Sequence, residues 1–278
     1  MSNDNLPLLR AEGVSKKFCK DIKYNMLYGM QDLLLPGYSR RHYSKLRTSE
    51  FWVLKDVSFD IKPGEIIGVV GSNGSGKTSL MRVLAGIYTN DLGEIYRAPD
   101  LRVTSVFAIQ AGLQPYYTGA ENVYLKGALY GLDRAYLRER MEFVREFSEL
   151  GDSLDKPFGN YSSGMRARLA YAIAIATDPD LFILDEALAV GDAVFKAKCY
   201  EHLKEFARQP NKGVLFVSNN ARKTLHVASR VIVMNKGRVI FDSTDVRQAL
   251  VYYIENCLQH LDEVKRKTQL ERVLHYDL

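Results

Sequence analysis

One run of residues constrains this chain more than any other: Gly71-Ser72-Asn73-Gly74-Ser75-Gly76-Lys77-Thr78 follows directly on the apolar stretch Ile66-Ile-Gly-Val-Val70. An apolar run that short, bounded by turn residues, reads as a strand covered on both faces of a parallel sheet. The glycines let the backbone wrap tightly, so that successive N–H groups converge on an anion. A helix predicted near Thr78 to Leu84 adds the positive end of its dipole. The spacing G-x-x-x-x-G-K-[ST] after a strand and before a helix is that of a nucleotide phosphate cradle. Lys77 is then expected to reach the β- and γ-phosphates and Thr78 to ligate Mg²⁺, with Ser79 beside it in the first turn.

A second segment completes the chemistry. Leu181-Phe-Ile-Leu184 is followed by Asp185 and Glu186. An apolar strand that ends in acids reads, taken alone, as a solvated strand end. Downstream of a phosphate cradle it places a carboxylate at the carboxyl edge of the sheet, where ligands bind in open α/β folds. Asp185 is expected to hold Mg²⁺ through water, and Glu186 to orient the attacking water. Further strands are predicted at Leu8–Phe18, Trp52–Ile61, Val214–Val217 and Val231–Met234. Helices are predicted within 119–150, where Leu137, Met141, Val144 and Phe147 keep a helical period, and from Gly164 to Thr177. Strands alternating with helices imply an α/β fold with a largely parallel sheet and a helical lobe inserted between strands.

Composition excludes little but agrees. The 278 residues hold 46% hydrophobic and 26% charged side chains, an ordinary globular mix. No stretch approaches the roughly 18 apolar residues of a membrane helix, and the polar start Ser2 to Asn5 lacks a signal-peptide core. Cys19, Cys199 and Cys257 are odd in number and far apart, as reduced thiols in the cytoplasm are. The net charge of +5 permits an anionic partner without requiring one.

Tyr161-Ser162-Ser163-Gly164-Met165 opens the helix before Asp185 and resembles the signature motif of ATP-binding cassette (ABC) proteins, Leu-Ser-Gly-Gly-Gln in its common form. The version here is similar to that of ABC subunits that export bacterial polysaccharides. Glu50 to Phe59, Thr118-Gly-Ala-Glu-Asn122 and Ala189 to Phe195 agree with it, and the resemblance spans about residues 8 to 245. It implies a P-loop NTPase (RecA-like) core with an inserted helical subdomain, about 113–178, and a small antiparallel β subdomain. A cassette over 1–245 would then be followed by a helical tail, 246–278. It implies a homodimer holding two ATP molecules, with Ser162, Ser163 and Gly164 of one chain meeting the γ-phosphate held by the other. It also implies a membrane permease as partner, a lipid-linked polysaccharide as cargo, no nucleic acid, and a place on the cytoplasmic face of the inner membrane.

Other positions follow from the same resemblance. Asp192 matches the family's D-loop aspartate, which contacts the partner chain. Gln110 fits the glutamine that senses Mg²⁺, with Gln114 as its rival and a surface glutamine as the plain alternative. Phe18 fits the aromatic that stacks on adenine; a core Phe, or Trp52 in that role, also fits. Where the family has Ser-His, this chain has Ser218-Asn219-Asn220. Asn219 donates a hydrogen bond but carries no charge, so ATP binding is expected intact and turnover slow. His226 reads as a surface histidine.

Residues 24–47 are long for a connection between strands. Tyr24, Leu27, Tyr28, Gln31, Leu34 and Leu35 share one helical face, and Arg40, Arg41, His42, Lys45 and Arg47 follow. This family insert, about 20–50, is expected to face the membrane with its basic residues near head groups; a solvated basic face is the alternative. Two other functions compete: a non-transport ABC protein acting on ribosomes or DNA, and an ATP-gated clamp that scarcely hydrolyses.

Overall fold

The computed structural model describes residues 6–34, 45–107, 112–185, 192–218, 220–259 and 262–275. The chain forms two compact units, Met1–Pro99 with Val217–Leu278, and Asp100–Phe216. In chain order the first part holds β1 (Leu9–Cys19), α1 (Ile22–Leu34), β2 (Glu50–Ile61), β3 (Ile66–Gly71), α2 (Lys77–Leu84) and β4 (Leu92–Arg97). Next come β5 (Val103–Val106), α3 (Gly119–Leu129), α4 (Arg134–Ser148), α5 (Ser163–Ala176), β6 (Leu181–Leu184), α6 (Ala193–Arg208) and β7 (Gly213–Val217). The chain returns with α7 (Ala221–Val227), β8 (Arg230–Asn235), β9 (Arg238–Ser243), α8 (Val246–Cys257) and α9 (Glu263–Leu274).

In the first unit β2, β1 and β4 form an antiparallel sheet in that order. The alternation expected of Trp52–Ile61 holds from Val57 onward, where Val57, Phe59 and Ile61 are buried. It breaks at Asp56, whose φ of 56° accompanies a register slip against β1; a bulge there lets Leu54 and Val57 both face inward. The fully buried β3 runs parallel to β8, and β8 turns back into β9. The two turn residues, Lys236 (φ 46°) and Gly237 (φ 79°), both take the left-handed form that a tight hairpin needs. α8 lays Ala249, Leu250, Tyr253 and Ile254 against Val70, Val231 and Val233, and Val273 of α9 joins the same core. The charged tail after Asp245 therefore contributes apolar packing behind the strand that leads to the glycine loop.

In the second unit β5, β6 and β7 pair in parallel. β6 is buried along its whole length. Phe147, Tyr171, Phe182, Phe195, His202 and Phe206 pack ring to ring between it and the helices. Burial holds the His202 imidazole down to a pKa of about 4, so it is neutral in this packing. The Thr104 and Thr177 hydroxyls bond to each other at 2.8 Å and satisfy the polar atoms where α5 crosses β5.

α1 forms within the segment where the sequence placed a helical face. None of its residues is buried. Ile22, Met26, Met30 and Leu33, spaced to one face, are 76%, 68%, 58% and 81% exposed. The helix is held from its other side: Arg47 bonds the Asp32 carboxylate, donates to Tyr28 O at 3.4 Å, and lies over the Tyr28 ring at 4.8 Å. Arg47 is thus turned inward rather than joining an outward basic run. Lys45 is exposed, and Arg40, Arg41 and His42 lie outside the described residues. Among the described residues no helix is long and apolar enough to cross a membrane.

Candidate functional site

The glycine loop is built by close approach. A Cβ on Gly71 would stand 2.4 Å from Met234 O and 2.6 Å from Ser75 Oγ. Gly76 has φ 102°, and a Cβ there would stand 2.7 Å from Val53 O. Both positions accept only glycine, the first for space and the second for space and backbone geometry. Gly237 N–H donates to Ser75 O at 2.9 Å and ties the loop to the β8–β9 turn. Ser72 is half-buried, whereas Asn73 and Gly74 at the loop's tip are exposed.

The loop runs into α2 without a side-chain cap, because the N-cap residue is Gly76. The first N–H groups of α2 are therefore left to whatever the loop encloses. Lys77 is buried, and its Nζ donates to Gly71 O at 2.7 Å and Ser72 O at 3.0 Å. Ser75 Oγ is buried with no hydrogen-bond partner, an arrangement that native interiors rarely leave unexplained. Thr78 and Ser79 sit half-buried in the first turn. A buried cation, a helix start without a side-chain cap and an orphaned hydroxyl are the elements that an anion cradle requires.

Beside β3, Ser218 N–H donates to Val69 O at 3.3 Å. Asn220 N–H donates to Ser218 Oγ at 3.0 Å, and Asn220 caps α7. Asn219 lies outside the described residues; its two neighbours are held at the end of β3. Phe18 is half-buried on β1 and meets Tyr88 edge to face at 5.6 Å, with Lys16 Nζ 6.0 Å from its ring. Trp52 is half-buried across from Lys17.

In the second unit Asp185 follows β6 directly, and its N–H donates to Val106 O at 3.1 Å. Glu186 and Gln110 lie outside the described residues. Ser162 is the N-cap of α5, its hydroxyl accepting from Met165 N–H at 3.2 Å. Ser163 and Gly164 form the first turn, and Ser163 is exposed. Asp192 caps α6 by accepting from Phe195 N–H at 2.9 Å. That bond, with Arg168 beside it, holds the Asp192 carboxyl below the usual range.

Two supports here are invisible to motif spacing. Tyr161, where the common signature has Leu, donates its hydroxyl to Ser153 O, and burial raises its pKa to about 12. A Cβ on Gly119 would stand 2.2 Å from that hydroxyl, so Gly119 makes room for the larger residue. Asn122, fully buried, accepts from Gln114 N–H at 2.7 Å and donates to Gln114 O and Thr118 O, each at 2.9 Å. Thr118 and Glu121 form a reciprocal cap at the start of α3. The backbone of Gln114 is thereby pinned to the helical lobe while its side chain faces solvent.

No group of three or more His, Cys, Asp or Glu among the described residues could hold a metal on its own. The oxygen donors that the sequence nominates are the Thr78 hydroxyl in the first unit, the Asp185 carboxylate in the second, and the Gln110 amide, which lies outside the described residues. Hard, few and incomplete, they suit Mg²⁺, which keeps waters and takes its other ligands from phosphate.

A protein-family model described as ABC transporter matches residues 54–189. The chain is 33% identical over 264 residues to the teichoic acids export ATP-binding protein TagH of Listeria innocua, covering 94% of this chain and 75% of that one. It is 34% identical over 233 residues to the O-antigen export system ATP-binding protein RfbB of Klebsiella pneumoniae, covering 84% and 92%. A solved dimer of the ATP-binding cassette MJ0796, in a post-hydrolysis state with ADP and Pi, superposes with a TM-score of 0.65 at 20% identity. It covers 84% of this chain and 97% of that one, and at that identity it establishes the P-loop α/β fold.

Proposed function

Because the chain belongs to the ABC transporter family, we propose that it is the ATP-hydrolysing subunit of an exporter that moves a lipid-linked cell-surface polysaccharide across the inner membrane. The observation that carries the reading is the uncapped start of α2, with Lys77 buried inside a loop that only glycines can form. The similarity to TagH and RfbB, export proteins for teichoic acids and O-antigen, supports the class of cargo.

The roles follow from charge and donor geometry. Backbone N–H groups of residues 72–79 bind the β- and γ-phosphates of ATP, and Lys77 exchanges loop carbonyls for phosphate oxygens. Thr78 and Asp185 would hold Mg²⁺, which when bound neutralises phosphate charge, and Gln110 would face the same ion. Glu186 orients and deprotonates the attacking water. Phe18 offers a ring face to adenine. Ser162, Ser163 and Gly164 present the start of α5 to the γ-phosphate held by a second copy, so each site needs two chains related by a two-fold axis. Asp192 contacts that second copy.

Asn219 stands where the family has histidine. A neutral donor stabilises developing phosphate charge less than a charged one, and loss of one such contact costs roughly 3 kcal/mol, near a hundredfold in rate. Turnover is accordingly slow, and a clamp that closes on ATP and rarely opens is the second reading that this residue favours.

The exposed apolar side chains of α1 and the exposed Lys45 after it support placing the insert, about 20–50, against the membrane at the cytoplasmic face. The part of the helical lobe around Leu113 to Tyr130 receives the permease. Phosphate release should be measured for the purified chain alone and with its membrane partner in lipid vesicles. Release that the partner stimulates and Lys77→Ala abolishes supports the motor; binding without release under both conditions supports the clamp.

A further inference from the structure

Phe18 stands where β1 loses a partner strand. β1 pairs with β4 only as far as Ser15↔Leu92, and its register against β2 slips between Val14 and Lys16 and again between Lys16 and Lys17. Beyond Ser15, residues that follow α2 take over the side that β4 has left. Asp91 N–H donates to Ser15 O at 2.8 Å. Lys17 N–H donates to Asp91 Oδ2 at 2.8 Å, and Lys16 Nζ pairs with the same oxygen at 3.1 Å. One carboxylate thus satisfies a backbone donor that the sheet no longer meets.

Tyr88 completes the bracket. Its ring meets Phe18 at 5.6 Å with the planes at 86°, the edge-to-face contact that aromatic quadrupoles favour. Tyr88 is itself fixed to α2. Arg82 Nη1 donates to the Tyr88 hydroxyl at 2.9 Å, and the guanidinium carbon lies 5.6 Å from the ring centre. Tyr88 N–H donates to Arg82 O at 3.1 Å. Arg82 stands five residues after Lys77 on the same helix. A continuous path therefore runs from Lys77 through Arg82 and Tyr88 to Phe18, all within the first unit.

Core packing does not call for this arrangement. Phe18 and Tyr88 are both half-buried, and neither belongs to the buried apolar core. What the contact does is restrict a ring. A half-exposed phenylalanine near a strand end turns among rotamers unless a neighbour holds it, and a ligand that stacks on it must then bear the cost of immobilising it. Tyr88 has immobilised it beforehand. The frame it uses is α2, the helix whose start the phosphates would meet.

We propose that Tyr88, oriented by Arg82, is a positioning residue for nucleotide recognition: it holds the Phe18 ring at a fixed place relative to the phosphate-binding helix, so that one rigid frame meets both the base and the triphosphate of a single nucleotide. This inference rests on the proposed role of Phe18 as the ring that stacks on adenine.

The test compares two ligands on the full chain by calorimetry, each with Mg²⁺: a non-hydrolysable ATP analogue, and inorganic tripolyphosphate, which carries the phosphates without the base. Tyr88→Ala is expected to weaken the analogue roughly threefold to tenfold, the scale of one aromatic pair, and to change tripolyphosphate less than about twofold. Tyr88→Phe keeps the ring contact and loses the Arg82 bond, so its analogue affinity should fall between wild type and Tyr88→Ala. In a Phe18→Ala background, Tyr88→Ala should change the analogue less than about twofold. Equal losses for the two ligands, an unchanged analogue affinity in Tyr88→Ala, or the same Tyr88→Ala loss with and without Phe18 overturns the proposal. If Tyr88→Ala does not fold, Tyr88→Leu takes its place with the same criteria. An analogue affinity that Phe18→Ala alone leaves unchanged overturns the stacking role of Phe18 and this inference with it; a loss in Phe18→Ala without one in Tyr88→Ala overturns the inference alone.

Discussion

The two helix starts to which the proposed function assigns phosphate are built in opposite ways. α2 begins at a glycine in a left-handed conformation, without a side-chain cap, with a buried lysine behind it. α5 begins at Ser162, whose hydroxyl satisfies one of its N–H groups, and Ser163 beyond it faces solvent. An uncapped end enclosed by a loop binds an anion alone, because loop and lysine supply the remaining partners. A capped and open end is satisfied by itself and water, and it contributes only when another surface brings the anion to it. On the proposed function the first is a binding site and the second a half-site that dimerisation would complete.

This contrast yields predictions of decreasing size. Lys77→Ala should remove nucleotide binding by the isolated chain, with affinity for a non-hydrolysable ATP analogue falling on the order of a hundredfold or more; calorimetry reads it directly. Gly164→Asp should leave that affinity unchanged and lower hydrolysis by about 10²–10³-fold. A Cβ at Gly164 meets nothing nearer than Ser162 Oγ at 3.9 Å, and an acid at a helix start suits the dipole, so the variant should fold. Only the approach of a γ-phosphate is repelled. If both variants lose binding in the isolated chain, the contrast is false.

Asn219→His should raise turnover by up to about a hundredfold without changing affinity, measured as steady-state phosphate release. An unchanged or lower rate would remove Asn219 from the site. The smallest effect is expected of Ser162→Ala. It loses a cap worth about 1 kcal/mol, which for a domain of this size lowers Tm by about 2–4 °C, with analogue affinity in the isolated chain unaltered.

The glycine loop was legible because its residues are dictated by space: Gly71 and Gly76 have carbonyls where a Cβ would be, and such positions tolerate no disguise. Asp185 was legible for a similar reason, since a strand buried on both faces leaves its first polar residue at the sheet edge. Other features depend on partners distant in sequence. Tyr161 departs from the signature's usual leucine, and only the proximity of Gly119 and Ser153 explains how it fits. Arg168 bridges Glu149 and Asp192, and neither spacing follows a helical or strand period. In α1 the periodicity nominated a face of Tyr24, Leu27, Tyr28, Gln31, Leu34 and Leu35, but an amphipathic pattern does not say what covers each side. Here Arg47 meets Tyr28 of that face, and Asp32 beside it, while Tyr24, Leu27 and Leu34 stay exposed, as do Ile22, Met26, Met30 and Leu33.

The proposed shared site requires the α5 start of one copy to close over the loop of another. The direct measurement uses two cysteine-free versions of the chain (Cys19, Cys199 and Cys257 replaced), both carrying Glu186→Gln to retain ATP. One bears Asn73→Cys in the loop and the other Ser163→Cys at the helix start. Mixed and oxidised, they should form an inter-chain disulfide when Mg-ATP is present and almost none with ADP or no nucleotide. A link independent of nucleotide, or no link at any ATP concentration, would contradict the shared site.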